Sequence, residues 1–144
     1  MPVIGFNFTK ISATRFSEPR RNSTIDGNME FKDITTEKNS ILNSDNEVLK
    51  LSFKFGFTYF ESEDKKNKLG ELAFEGDIFY STTKEESKEI LKSWKKKTTP
   101  KEFSEGIYTL ILRKCTVKAL DLEDQVGLPP HLQLPKVGLK TNQN

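Results

Sequence analysis

The segment Asn46–Glu61, NEVLKLSFKFGFTYFE, decides how this chain folds, because apolar and polar residues alternate along it. The apolar positions are Leu49, Leu51, Phe53, Phe55, Phe57 and Tyr59, and the positions between them are Lys50, Ser52, Lys54, Gly56 and Thr58. Successive side chains of a strand point to opposite faces of a sheet, so this period predicts a strand with one buried face. The lysines predict that the other face is wet or meets a polar partner.

Three other segments show the same alternation over shorter stretches: VIGFNFTKIS, with Ile4, Phe6 and Phe8; NMEFKDIT, with Met29 and Phe31; and LGELAFEGDIFY, with Leu72 and Phe74. The phase is lost near Asp33, and a glycine interrupts the last segment at Gly76, so both places are candidates for a bulge or kink. The connecting segments SEPRRNSTIDG, EKNSILNSDN and ESEDKKNK have the composition of hairpin loops. The predicted sheet is a four-stranded antiparallel meander.

Two helices are predicted after the strands. In TTKEESKEILKSWKKK, Thr83 is the predicted N-cap and Glu86 follows three residues later, as in a capping box. In TTPKEF, Thr99 is the predicted N-cap and Pro100 the first helical residue. The second helix carries an apolar stripe and is expected to end near Gly127; the stripe comprises Phe103, Ile107, Leu110, Ile111, Cys115 and Val117. The predicted fold class is therefore α+β, with two helices on one face of the sheet.

Composition limits the classes of function. The 144 residues, 16.5 kDa, suit a single domain spanning residues 1–144, with residues 139–144 expected to form a disordered tail. With 23 basic and 21 acidic residues the net charge is only +2, which argues against strong nonspecific binding to nucleic acid or anionic membranes. No apolar run reaches the ~20 residues that a membrane span needs. A lone cysteine and an N-terminal segment unlike a secretion signal lead us to expect a cytoplasmic protein.

Residues suited to catalysis are few. Cys115 lies on the predicted apolar stripe, so a buried, inert thiol is a better interpretation than a nucleophile paired with His131. The same histidine is the only one in the chain and cannot form a zinc site alone. Acidic pairs such as Glu85 and Glu86 stand where they favour a helix N-terminus, and no phosphate-binding glycine motif occurs. We expect neither an enzyme nor a cofactor.

Several short stretches, in order along nearly the whole chain, resemble the SecB family of export chaperones. FTKIS is similar to the family's Tyr-Thr-Lys-Asp-Ile-Ser without its Asp, MEFKD to Val-Lys-Leu-Asp, and EGDIF to Gly-Gly-Ile-Phe. LRKC resembles the Cys-bearing long helix, and LPPHLQLPKV resembles the ending Phe-Pro-x-Leu-x-Leu-x-Pro-Val. The spacer before this ending is longer by about one helical turn. The acidic residues with which the family docks the export ATPase SecA are not reproduced, so the resemblance implies the fold and client binding but not SecA docking.

The resemblance also implies partners and sites. Family members are homotetramers, dimers of dimers, that hold unfolded polypeptide clients in apolar grooves without ATP. The first helix would contribute to the oligomer interface, with Trp94 and Ile90 as the candidate residues. One groove wall would be the second strand and the other the end of the long helix with the proline-rich strip after it. The residues that match these walls are Met29, Phe31, Leu128, Leu132 and Leu134.

Two alternatives stay open at this point. The leucines of the strip can equally close the core over the long helix, and the two interpretations carry similar weight. The chain can also be a non-catalytic adaptor that binds one specific folded partner, including a chaperone associated with a toxin–antitoxin pair. An RNA-binding α+β module is less favoured, because binding of RNA backbones relies on positive charge and the net charge is only +2.

Overall fold

The computed structural model describes residues 3–18, 23–37, 46–61, 67–133, 135 and 137–138, and its four strands and two helices follow the predicted order. The elements are β1 (Val3–Arg15), β2 (Thr24–Thr36), β3 (Asn46–Phe60), β4 (Lys68–Thr83), α1 (Lys84–Lys95) and α2 (Lys101–Val126). The predicted α+β class, an antiparallel sheet followed by two helices, is confirmed. The tail predicted at 139–144 lies outside the described residues.

The strand order corrects one part of the prediction. The sheet runs β1-β4-β3-β2, with every neighbouring pair antiparallel. Strands β2, β3 and β4 form a meander, but β1 pairs with β4, so the connection between β1 and β2 is not a hairpin and joins opposite edges. The physical reason is burial: β3 and β4 carry the most continuous buried faces and take the centre, while the half-buried β1 and β2 take the edges. The result is a Greek-key order.

The strand register builds the core from the side chains that face the helices. In the central pair, Leu51 lies opposite Ile78, Phe53 opposite Gly76 and Phe55 opposite Phe74. Gly76 is needed because a Cβ there would lie 2.4 Å from the Asn7 carbonyl oxygen and 2.8 Å from the Phe53 ring.

Two irregularities were expected in the sheet. The predicted bulge near Asp33 is confirmed by a register shift between Phe31 and Asp33. At Gly76 the prediction is only partly right: β4 stays in register with β3 there, and the shift lies in β1, between Phe8 and Lys10. The bulge therefore belongs to the edge strand, which has no second neighbour among the described strands to keep it in register.

The opposite face of the sheet is polar. Glu75 on β4 pairs with Lys32 on β2 at 2.5 Å and with Lys10 on β1 at 3.7 Å. The hydrogen bond from Lys32 holds the pKa of Glu75 below its ordinary value, and the same bond raises the pKa of Lys32. These charges link strands across the sheet at a surface where solvent weakens their attraction.

The helix ends follow the predicted caps, with one shift. The Thr83 side chain accepts a hydrogen bond from the Glu86 backbone N–H at 3.2 Å, as predicted. Helix α2 begins at Lys101, one residue later than predicted, with Pro100 as its N-cap. The Thr99 hydroxyl is hydrogen-bonded to the Ser104 hydroxyl instead of a backbone N–H, which explains the shift. The helix ends at Gly127, whose φ of 74° is the left-handed conformation expected of a glycine cap.

The buried stripe of α2 repeats every four residues. Its members are Phe103, Ile107, Ile111, Cys115, Ala119 and Glu123. Leu110 is half-buried at the border of the stripe, but Val117 is 68% exposed, so its predicted place in the stripe is wrong. Val117 follows Cys115 by two residues, which corresponds to a rotation of about 200° around the helix axis. Val117 therefore lies on the opposite side of the helix from Cys115.

Cys115 gives a simple test of this core. The thiol is completely buried, and burial raises its pKa to about 12. Because the thiolate is the reactive form, we expect a disulfide reagent at pH 8 to leave the folded protein almost unmodified and to label one thiol per chain in denaturant. Rapid labelling of the folded protein would contradict the packing of α2 on the sheet.

Candidate functional site

A groove lies between the edge strand β2, the connection from α1 to α2, and the first half of α2. We call it the β2 groove; its volume is about 510 Å³, and it is lined by Met29, Glu30, Phe31, Trp94, Lys97, Thr98, Thr99 and Tyr108. The groove exists because α1 packs against β2, β3 and β4, whereas α2 packs mainly against β1 and β4 and reaches β2 through Tyr108. The apolar face of β2 is therefore buried at Ile34 but only partly covered at Met29 and Phe31.

Aromatic rings form the apolar part of the β2 groove. The Phe31 ring stacks on the Tyr108 ring with centroids 5.3 Å apart, and it meets Trp94 edge to face at 6.4 Å. Phe31 and Met29 are both half-buried, as are Trp94 and Tyr108. Four adaptable apolar side chains thus line one surface that remains open to solvent.

The rim of the groove is polar and carries both signs of charge. The connection after α1 turns back on itself: the Lys97 N–H donates to the Trp94 carbonyl at 2.8 Å, and Lys97 has a left-handed φ of 60°. This turn places the Lys97 ammonium 4.7 Å from the centre of the Trp94 ring, a cation–π contact. Glu30 lies on the β2 side. A segment in the groove would meet apolar rings flanked by one acid and one base.

The proline-rich strip after α2 is anchored on the core. Leu128 is only 5% exposed, and a Cβ on Gly70 would lie 2.7 Å from its Cδ2 atom, so the two residues are in close contact. Leu132 is 45% exposed, and Leu134 lies outside the described residues. The leucines of the strip were interpreted either as closing the core or as lining a client groove. Leu128 closes the core, whereas Leu132 is accessible to a partner.

A buried polar cluster fastens the strip, and it was not predicted from the sequence. Glu123 on α2 is 1% exposed, and its carboxylate accepts hydrogen bonds from the Tyr59 hydroxyl and from both the backbone N–H and the ring Nδ1 of His131. The His131 contacts are 3.0–3.1 Å long, and its ring stacks on Phe57 at 4.3 Å. Burial, together with the hydrogen bond to Glu123, raises the pKa of Tyr59. The sequence feature that could have indicated this cluster is Glu123, an acidic residue at a position of the apolar stripe of α2.

The residues predicted for an oligomer interface have different surroundings. Ile90 is completely buried within the protomer, so its side chain offers no surface to a partner chain. Trp94 is half-buried and shares the β2 groove with the predicted client residues Met29 and Phe31.

Among the described residues no group of three or more His, Cys, Asp or Glu side chains is placed to hold a metal ion. Neither helix in that part of the chain combines the length and the apolar character needed to cross a membrane.

Comparison with known proteins identifies the fold. No family model matches the chain, and no curated protein matches it. The structure is similar to that of the SecB-like chaperone Rv1957 of Mycobacterium tuberculosis, solved in complex with a ChAD peptide from the antitoxin HigA1 (Rv1956). The TM-score is 0.56 at 16% sequence identity, and the match covers 96% of this chain and 91% of that chain. The chain thus has the fold of a SecB-like chaperone, as the sequence resemblance predicted.

Proposed function

We propose that this chain is a SecB-like chaperone that holds unfolded polypeptide segments in the β2 groove without using ATP. The observation that carries the proposal is the partly covered apolar face of β2, where the half-buried Phe31 stacks on Tyr108 beside Trp94. Rings left open to solvent are an unfavourable surface for a chain that works alone. They are a favourable surface for one that binds apolar segments of other chains.

The energetics fit holding rather than catalysis. Burying apolar surface yields about 25 cal/mol per Å², with little dependence on the order of side chains, so many unrelated segments can bind. Met29 adds a flexible thioether, a side chain suited to binding surfaces that must accept different partners. The outer edge of β2 pairs with no other described strand, so an extended client can also hydrogen-bond to it.

The strip after α2 is proposed as the second wall of the client site. Leu128 and His131 anchor the strip on the core, and the exposed Leu132 is proposed as a client contact. Leu134, which lies outside the described residues, is proposed as a further client contact. Prolines keep such a wall extended, which lowers the entropy lost on binding. The remaining parts of the proposal are a homotetramer formed as a dimer of dimers and a cytoplasmic location. Neither SecA docking nor nucleic-acid binding is part of it.

The second candidate function is an adaptor for one partner peptide. It is favoured by the similar chaperone, which was solved with a peptide from an antitoxin. The rim of the β2 groove, with Glu30 and Lys97, can add charge selectivity to apolar binding. A set of unrelated unfolded clients separates the two functions: a general chaperone holds all of them, whereas an adaptor binds one and ignores the rest.

An aggregation assay tests the proposal. We expect the wild-type protein to delay aggregation of a reduced, unfolded client without nucleotide. Phe31→Asp replaces an apolar contact with a charge and removes roughly 1.5–3 kcal/mol of burial, so the effective affinity is expected to fall about tenfold or more. Phe16→Asp is the matched control, because Phe16 is an exposed phenylalanine outside the groove.

The comparison requires that both variants are folded. A cooperative thermal unfolding transition establishes that each variant is folded. Equal protection by wild type and Phe31→Asp would place client binding elsewhere. Failure of the wild-type protein to delay aggregation of any client would contradict the chaperone function itself.

A further inference from the structure

A second groove lies at the opposite edge of the sheet from the β2 groove, where α2 packs against the edge strand β1. We call it the β1 groove; its volume is about 480 Å³, and it is lined by Phe6, Phe8, Arg113, Lys114, Val117 and Lys118. It shares no lining residue with the β2 groove. The function proposed above therefore makes no use of it.

Phenylalanine rings form the floor of the β1 groove. The Phe6 ring packs on the ring of Phe53 with centroids 5.4 Å apart. The Phe8 ring packs on the ring of Phe74 at 5.9 Å. Both floor residues are half-buried, so the core holds each ring from one side while part of it stays accessible. Val117, which is 68% exposed, adds an aliphatic surface from α2. An apolar side chain of a partner would meet rings that are already held in place.

The α2 wall of the β1 groove is basic, and no acidic residue occurs among the described residues that line it. Arg113, Lys114 and Lys118 are exposed, and within the described part of the chain none of them forms an ion pair. The Lys114 ammonium lies 5.8 Å from the centre of the Phe6 ring, so positive charge stands directly beside the apolar floor. The net charge of the whole chain is only +2, so this is a local concentration of charge. It favours a partner that is both anionic and apolar.

The spacing of the lysines indicates the shape of that partner. Lys114 and Lys118 are four residues apart, which is about 6 Å along the helix axis. Side chains on one face of an extended chain recur every two residues, about 6.5–7 Å apart, and the side chains between them point the other way. An extended segment that alternates acidic and apolar residues can therefore direct its carboxylates to α2 and its apolar side chains to the floor.

We propose that the β1 groove binds such a segment of a partner protein, in which acidic residues alternate with aromatic or aliphatic ones. The β2 groove has one acid and one base on its rim, Glu30 and Lys97, and has no such preference for negative charge. The two grooves thus differ in the chemistry of what they accept. The inference goes beyond the holding of unfolded clients and does not depend on it.

Other anionic occupants fit the β1 groove less well. A fatty acid carries one carboxylate and leaves the other cations of the wall without a partner. Single-stranded RNA binds to aromatic side chains by stacking of successive bases, but the rings of Phe6 and Phe8 are inclined at 82° to each other and offer no pair of parallel faces. An anionic bilayer would reach the exposed lysines but not the half-buried rings of the floor.

Binding of a labelled peptide to the full chain tests the inference. The probe is a fluorescein-labelled peptide of twelve residues in which glutamate alternates with leucine or phenylalanine, and binding is measured by fluorescence anisotropy. The same peptide with glutamine in place of glutamate keeps the apolar residues but loses the charge, so we expect its affinity to be lower by about tenfold or more. Combining Lys114→Glu with Lys118→Glu is expected to weaken binding of the glutamate peptide by a similar factor. This variant should also bind a lysine version of the peptide better than wild type does.

The matched control combines Lys88→Glu with Lys92→Glu. These exposed lysines of α1 have the same spacing of four residues, and neither lines the β1 or the β2 groove. The net charge of the chain changes equally, so this variant should bind the glutamate peptide as tightly as wild type. A further variant tests the apolar contact: Val117→Gln introduces a better helix former and removes aliphatic surface without a change of charge, and we expect severalfold weaker binding.

Four results would overturn the inference. Wild type could bind the glutamate and glutamine peptides equally, or the α1 control could lose as much affinity as the groove variant. Phe31→Asp could weaken binding of the glutamate peptide, which would place the peptide in the β2 groove. Finally, a single-stranded RNA oligonucleotide or phosphatidylglycerol vesicles could displace the peptide at concentrations below its own, which would identify a nucleic acid or a membrane as the occupant.

Discussion

Replacing Glu123 with alanine is expected to lower the free energy of unfolding by about 3 kcal/mol or more, because each buried donor left without an acceptor costs roughly 1–3 kcal/mol. Glu123 is 1% exposed, and its carboxylate accepts from the Tyr59 hydroxyl and from two donors of His131. Urea unfolding followed by circular dichroism measures the change. Asp124→Ala is the matched control, since Asp124 is the next residue and is exposed.

The same substitution is expected to release the strip after α2. His131 is attached to the protein through Glu123 and through stacking on Phe57. Without the carboxylate, cleavage of the chain after the end of α2 by a protease should become faster than in wild type. A Glu123→Ala protein as stable and as resistant as the Asp124→Ala protein would show that the cluster holds neither the core nor the strip.

Replacing Gly76 with alanine is expected to cost about 3 kcal/mol, the upper part of the usual range for overpacking. The new Cβ would lie 2.4 Å from the Asn7 carbonyl oxygen of β1 and 2.8 Å from the Phe53 ring. Backbone oxygen cannot move aside as a flexible side chain can, so β1 and β4 must separate locally. Thermal and urea unfolding measure the loss.

Gly27→Ala is the control for that change. Gly27 is also a strand glycine, but its nearest neighbour is the edge of the Phe57 ring at 3.3 Å, which can shift slightly. We expect a change of less than about 1 kcal/mol in either direction. Equal effects of the two substitutions would contradict the close approach of β1 to β4 and with it the strand order.

The elements that the sequence predicts well are those set by local patterns. The alternation from Leu49 to Tyr59 reports a buried strand face directly, because side-chain direction repeats every two residues. The Thr83 cap and the Gly127 stop are equally local, since each depends on neighbours within a few residues.

The features that the sequence does not predict depend on contacts between distant residues. A meander and the observed Greek-key order have the same strand pattern and differ only in which edge β1 joins. The cluster of Tyr59, Glu123 and His131 joins β3, α2 and the strip after it. The distances between these three residues in the sequence do not indicate that they are in contact. For the groove, Met29 and Phe31 were predicted as client residues, whereas Tyr108 was not, because its stacking on Phe31 requires the helices to be placed on the sheet.

The most direct test of the account uses the fluorescence of Trp94, the only tryptophan in the chain, which lies beside Phe31 in the β2 groove. A reduced, unfolded polypeptide that lacks tryptophan is titrated into the protein, and the folded form of the same polypeptide is the control. The account predicts a saturable change in Trp94 emission with the unfolded form, none with the folded form, and a strongly weakened response in Phe31→Asp. An emission spectrum that stays constant as the unfolded polypeptide is added, in a protein shown to be folded, would contradict client binding in the β2 groove.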